Sequence, residues 1–213
     1  MNLNSIYDNS ILWQMSPHER TAFFYVLERC GNNLALEIGS FRGGSLQHLI
    51  QSFNQVISID IDHSLLNKDI KSSNLTLLTG DSKELVPFVI NHCNEQGEQL
   101  DFVLIDANHE YDYVMADLEN VLEYVPQADT TVLIHDSWYT PSRQAICNSE
   151  KLKSCPYVHF VDTDFCGGNL MAPGKTIGGM CLIQMKSIPR KGELVINQSL
   201  DNTYRIINKL GWL

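Results

Sequence analysis

Five short apolar runs recur along the chain: Leu34–Ile38 (LALEI), Val56–Ile59 (VISI), Leu75–Leu78 (LTLL), Phe102–Ile105 (FVLI) and Thr131–Ile134 (TVLI). Each is followed by a polar or glycine break and then by a segment of helical character. Apolarity within the runs is continuous rather than alternating. Strands buried on both faces require that, so the pattern predicts a parallel sheet covered by helices. Helix-start chemistry fills the gaps. Ser16-Pro17-His18-Glu19 and Asp81-Ser82-Lys83-Glu84 read as capping boxes, and Thr140-Pro141 as an N-cap with proline at the first helical position.

Two further strands are expected at Tyr157–Val161 (YVHFV) and Met180–Met185 (MCLIQM), and a last helix around Ser199–Lys209. The alternation predicts an α/β fold, doubly wound, with a mostly parallel seven-stranded sheet and helices on both faces. Between the last two strands, Asp162–Gly179 reads as a glycine-rich loop that is either a lid over a site or a disordered connection. No repeat, low-complexity tract or linker divides the chain. It is therefore expected to form one domain over residues 1–213, with an N-terminal helical segment (1–30), a core (31–187) and a C-terminal helical tail (188–213).

Charge narrows the partners. A net charge of −10 opposes the electrostatic attraction on which non-specific nucleic-acid binding depends. No apolar run approaches the roughly 20 residues of a membrane span, and the N-terminus lacks a basic flank followed by an apolar stretch. The expectation is a soluble, cytoplasmic protein with neither nucleic-acid nor membrane partners. The six cysteines form no CxxC pair and read as reduced thiols rather than as a zinc site.

In open parallel sheets ligands bind beyond the carboxyl ends of the strands, near the point where strand order reverses. The residues that end the five runs are Glu37 to Gly39, Asp60, Asp81, Asp106 and His135-Asp136. A single acid after a strand is more often a turn residue or a helix cap, and Asp81 suits the cap of its own helix. Acids at all five strand ends are another matter. Converging on one sheet edge, they would repel one another and lose hydration unless cations or hydrogen-bond donors met them.

The first break reads Glu37-Ile38-Gly39-Ser40-Phe41-Arg42-Gly43-Gly44-Ser45. Gly39 and Gly43 permit a tight turn and close approach of a ligand to the backbone. Phe41 stands where a dinucleotide fingerprint needs its second glycine, which argues against a pyrophosphate on this loop and against a nicotinamide dehydrogenase. Asp60 follows Gly39 at the distance where an acid can accept ribose hydroxyls. A nucleoside without a phosphate bridge suits both observations.

At these residues the chain resembles the class I S-adenosylmethionine-dependent methyltransferases of Rossmann-like fold. More closely it resembles the metal-dependent O-methyltransferases, such as catechol O-methyltransferase and the macrocin O-methyltransferase and cephalosporin hydroxylase-like group. The likeness runs from about Leu34 to Met185. It implies that Glu37, Gly39, Phe41 and Ser45 hold the methionine end of the cofactor, Asp60 the ribose, and Asp81 and Ser82 the adenine edge. "DFVLIDANH" and "TVLIHDSW" are similar to the family's two metal-site motifs. By that likeness Asp106 and Asp136 are metal ligands, Asp106 also lies near the cofactor's ammonium group, and His109 takes the place of the general base. The third ligand is His135 or Ser137.

The chemistry this implies is coherent. A hydroxyl is a poor nucleophile near neutral pH; a divalent cation lowers its pKa and orients it, and an imidazole accepts the proton. Two aspartates suit Mg²⁺, and a bound His135 shifts preference toward Mn²⁺ or a later metal. The expected activity is S-adenosylmethionine-dependent methyl transfer to a hydroxyl of a small molecule. Two other classes compete: a metal-dependent oxygenase or hydrolase built on Asp106, His109, His135 and Asp136, and a non-catalytic cofactor-binding module. Trp138 and Tyr139 read as pocket wall or as core aromatics. The segment holding Tyr7 and Trp13 reads as a cap on the site or as a homodimer contact, and His48, His63 and His159 are assigned no role.

Overall fold

The strands β1 (Leu34–Ile38) and β4 (Leu100–Ile105) are buried at every position, as their unbroken apolarity requires, and they lie side by side in the sheet. A computed structural model describes residues 6–8, 10–172 and 175–210. The other strands are β2 (Gln55–Asp60), β3 (Leu75–Thr79), β5 (Thr130–His135), β6 (Val158–Ala172), β7 (Lys175–Met185) and β8 (Val195–Asn197). Their order across the sheet is β3-β2-β1-β4-β5-β7-β6-β8. The first five pair in parallel, β7 runs antiparallel to both β5 and β6, and β8 pairs in parallel with β6. Strand order reverses between β1 and β4, so a ligand crevice is expected beyond Ile38 and Ile105.

Helices α1 (Pro17–Leu27) and α2 (Leu46–Ser52) cover one face of the sheet. Phe23, Val26, Leu46 and Leu49 pack there on Ala35, Phe102, Leu104 and Leu133. On the other face α3 (Ser82–Gln96), α4 (Tyr111–Val121) and α5 (Thr140–Asn148) bring Val86, Ile90, Leu118 and Ile146 against Leu36, Val103 and Ile134. Each such side chain contributes about 1.5–3 kcal/mol by leaving water. A short helix, α6 (Glu150–Ser154), precedes β6, and α7 (Asp201–Leu210) ends the described chain. No helix among the described residues is long and apolar enough to cross a membrane. All six cysteines are free thiols.

Three expectations are corrected. The sheet has eight strands, because Val195 and Ile196 pair with Phe160 and Val161 inside the segment expected to be a helical tail. The segment expected to be a loop is not one: residues 162–172 and 175–179 belong to a long β6–β7 hairpin, in which Gly168 faces Gly178, while Pro173 and Gly174 lie outside the described residues. Gly168 and Gly179 make room for Trp138, since a Cβ at Gly168 would lie 2.5 Å from both Trp138 Cβ and Ile177 O and one at Gly179 2.8 Å from Trp138 Cδ1. Pattern alone reads such a run as a turn cluster, whereas here the missing side chains permit packing. Thirdly, α5 begins at Thr140 with Tyr139 as its N-cap, one residue earlier than expected.

The segment before α1 is irregular and is pinned from within. The buried Arg20 guanidinium donates to the carbonyls of Ile6, Asp8, Met15 and Trp13 at 2.9–3.0 Å. Trp13 is thereby held over Gly44, where no Cβ would fit. Tyr7 stays exposed.

Candidate active site

Beyond β1 the chain turns through Gly39 (φ 93°), Phe41 (φ 47°) and Gly43 (φ 87°) before α2. The turn is tight because the end of β4 lies against it. Asp106 N donates to Ile38 O, and a Cβ at Gly39 would stand 2.4 Å from Asp106 O. Phe41 adopts the left-handed conformation at a cost of about 1–2 kcal/mol. Asp60, at the end of β2, offsets that strain: its Oδ2 accepts from Ser40 N (2.8 Å), Phe41 N (2.9 Å) and Ser40 Oγ (3.1 Å). Burial opposes ionisation of Asp60, but the amides of Asp62, Phe41 and Ser40 hold its carboxyl below the ordinary range. Its other oxygen accepts one bond, from Asp62 N (3.1 Å), and keeps capacity for a ligand hydroxyl.

Glu37 lies behind the loop rather than in the cavity. Oε1 accepts from Ser45 Oγ (2.5 Å) and Oε2 from Ser58 Oγ (2.9 Å), and the side chain is fully buried. It therefore braces Ser45, which does line the cavity. Burial pushes its carboxyl from the ordinary 4.5 up to about 8, against the two hydroxyls.

A carboxyl raised in this way binds its proton more tightly in the folded chain, so stability falls as pH climbs from the unfolded value to the folded one and then levels off. Urea unfolding followed from about pH 5 to about pH 8.5 should therefore lose up to a few kcal/mol in the native protein. Glu37→Gln should flatten that slope. Equal slopes in the two proteins would place the pH dependence elsewhere.

Asp81 and Ser82 open α3, with Asp81 Oδ1 capping Lys83 N at 2.9 Å, and both residues also face the cavity. The cap role and the site position coexist.

At the ends of β4 and β5 the acids and imidazoles meet. Asp106 Oδ1 lies 2.9 Å from His135 Nδ1, which lies 3.2 Å from Asp136 Oδ2, which in turn lies 3.1 Å from His109 Nε2. Asp136 takes φ 54° to reach this position, and its Oδ1 accepts from Gly178 N at 2.5 Å. Burial opposes charge on His135, but Asp106, Asp136 and Glu19 outweigh it and hold the imidazole well above its ordinary pKa. Burial likewise works against ionised Asp136, yet His135, His109 and the Gly178 amide keep its carboxyl far below the usual range. Ser137 is buried, lies outside the cavity lining and its Oγ has no hydrogen-bond partner among the described residues, whereas His135 Nδ1 contacts both Asp106 and Asp136.

The cluster is one that could hold a divalent cation. Each of Asp106, His109, His135 and Asp136 offers one ligand atom, and these lie within 4.8 Å of one another. Neighbouring ligands of a six-coordinate ion with bonds of about 2.1 Å stand about 3.0 Å apart, close to the spacings of this chain of contacts.

Loops beyond β1, β2, β3, β4 and β5 share one cavity of about 1310 Å³. Leu12 to Met15 wall one side of it, while Asn169, Lys175 and Ile177 come from the β6–β7 hairpin. Tyr139 lines it, its hydroxyl 3.3 Å from Glu110 Oε1. Trp138 does not; it packs into the hairpin.

The residue that sequence reasoning missed is Glu19. Its capping-box position is real, with Oε2 accepting from Ser16 N (2.7 Å) and Ser16 Oγ (2.6 Å). Its other oxygen accepts from Gly179 N (2.6 Å) and sits 3.4 Å from His135 Nε2. Burial would raise Glu19, but His135 and Ser16 bring it down to about 2. The capping signal disguised the residue, and no local pattern links position 19 to position 135.

A family model described as a methyltransferase domain matches residues 36–137, just under half of the chain. No curated protein matches in sequence. Among solved structures, a provisionally assigned O-methyltransferase from Klebsiella pneumoniae superposes with TM-score 0.58 at 14% identity, covering 86% of this chain and 87% of its own. A provisional hemolysin from Lactococcus lactis gives 0.58 at 15%, covering 88% and 93%. An rRNA methylase from Streptococcus thermophilus gives 0.54 at 12%, covering 82% and 98%. At these identities the likeness is one of fold.

Proposed function

We propose that this chain, whose residues 36–137 match a methyltransferase-domain model, transfers the methyl group of S-adenosylmethionine to a hydroxyl of a small molecule, assisted by a divalent cation. One observation carries the reading: the loop of Gly39 and Phe41, Asp60, Asp81 and the Asp106/His109/His135/Asp136 cluster all open on the same cavity. That cavity exceeds the roughly 300–1,000 Å³ of a single-ligand pocket, which leaves room for a cofactor and an acceptor together.

In this reading the Gly39–Ser45 turn receives the methionine end, Asp60 Oδ1 accepts from the ribose, and Asp81-Ser82 border the adenine. Asp106, Asp136 and His135 hold the cation. When bound there, it lowers the pKa of the acceptor hydroxyl. His109, exposed to the cavity and 3.1 Å from Asp136, takes the hydroxyl proton as the oxygen attacks the methyl carbon. The carbon–sulfur bond breaks, its electron pair returns to sulfur, and the sulfonium becomes a neutral thioether. The strongly acidic balance of the chain supports a small acceptor over a nucleic acid.

Calorimetry tests the reading. Saturable S-adenosylmethionine binding is expected, together with S-adenosylhomocysteine release from a hydroxyl acceptor that stops on chelation and resumes with Mg²⁺ or Mn²⁺. No cofactor binding in the presence or absence of either ion would sink it. Iron in the purified protein, with cofactor binding absent, would instead favour an oxygenase built on the same two histidines and two aspartates.

A further inference from the structure

We propose that Glu19 is a positioning residue that acts through His135 to set the cluster's hold on a divalent cation. The inference rests on the metal-assisted reading above and deepens it. Glu19 is 2% exposed and comes from α1, remote in sequence from the strand ends. Three donors fix its carboxylate independently of His135: Ser16 N, Ser16 Oγ and Gly179 N.

Its Oε1 is thereby held 3.4 Å from His135 Nε2, a buried nitrogen with no hydrogen bond of its own among the described residues. With Nε2 facing a fixed carboxylate, Nδ1 is the ring nitrogen turned to Asp106 and Asp136. An imidazole that ligates a metal through one nitrogen is oriented and made more basic by a carboxylate at the other. Adjacent amides of β7 complete the arrangement: Gly178 N holds Asp136 while Gly179 N holds Glu19. Gly178 cannot carry a side chain there, since its Cβ would stand 2.5 Å from Glu19 Oε1. The first helix, the hairpin and the fifth strand thus meet on one imidazole.

The test measures Mn²⁺ affinity of the full-length protein, by calorimetry and by loss of the free-ion paramagnetic resonance signal, with melting temperature as a control on folding. Glu19→Gln keeps the shape and removes the charge; it should weaken Mn²⁺ binding about 10- to 100-fold. His135→Asn should weaken it as well, and the double variant should bind no more weakly than His135→Asn alone, because Glu19 acts only through the ring. Unchanged affinity in Glu19→Gln, or additive losses in the double variant, overturns the proposal while leaving the metal reading intact. Absence of Mn²⁺ binding by the native protein overturns both. If Glu19→Gln does not fold, Glu19→Asp, which keeps the charge but withdraws it by one methylene, is judged by the same cycle.

Discussion

His109→Ala should lower turnover about 10²- to 10⁴-fold, the usual contribution of a positioned proton acceptor. Cofactor affinity should change by less than about threefold, because His109 touches Asp136 and the cavity rather than the loops proposed to hold the nucleoside. The measurement is S-adenosylhomocysteine release with a hydroxyl acceptor active in the native protein, alongside calorimetric cofactor binding. Full turnover in the variant would remove His109 as the proton acceptor. A fall in Mn²⁺ affinity accompanying the loss of turnover would make it a fourth ligand, which its place in the cluster permits.

Gly39→Ala should be the most damaging small substitution. Its φ of 93° strains any L side chain, and the new Cβ would press on Asp106 O at 2.4 Å and Ala107 Cα at 2.6 Å, both backbone atoms that cannot swing aside. We expect a loss of about 3 kcal/mol or more, seen as a melting temperature lower by roughly 6–12 °C. Cofactor affinity should fall at least about tenfold as the turn separates from β4. Gly97→Ala is the control. There φ is 65° but nothing lies within 4 Å, so the cost should be near 1 kcal/mol. If the two variants melt together, close approach is not what Gly39 provides.

Much of this could be read in the chain before folding. Strands β1, β4 and β5 announced themselves because burial on both faces needs unbroken apolarity, a local property, whereas β3 carries a similar apolar run at the sheet edge and is largely exposed. The residues ending the five parallel strands were legible for a related reason: in a parallel sheet every carboxyl end points the same way, so Gly39, Asp60, Asp81, Asp106 and Asp136 are brought to one edge by topology alone. Glu37 stands at the expected strand end, but its side chain is turned beneath the loop, and pattern reading cannot tell such a carboxylate from one facing the cavity. The hairpin was misread for the opposite reason. Its glycines look like turn residues, and only the packing of Trp138 against Gly168 and Gly179 shows that those two leave space for an indole.

Strand patterning and chain order are enough to fix the parallel αβ frame, the edge at which ligands collect and the set of acids and imidazoles available there. Which of those groups meet was settled by packing. It joined His135 rather than Ser137 to the aspartates, withdrew Glu37 behind Ser45, and brought Glu19 across from the first helix to His135. Those contacts link positions far apart in the chain. Their energies depend on distances and burial set by packing, and no residue pattern at either end encodes them.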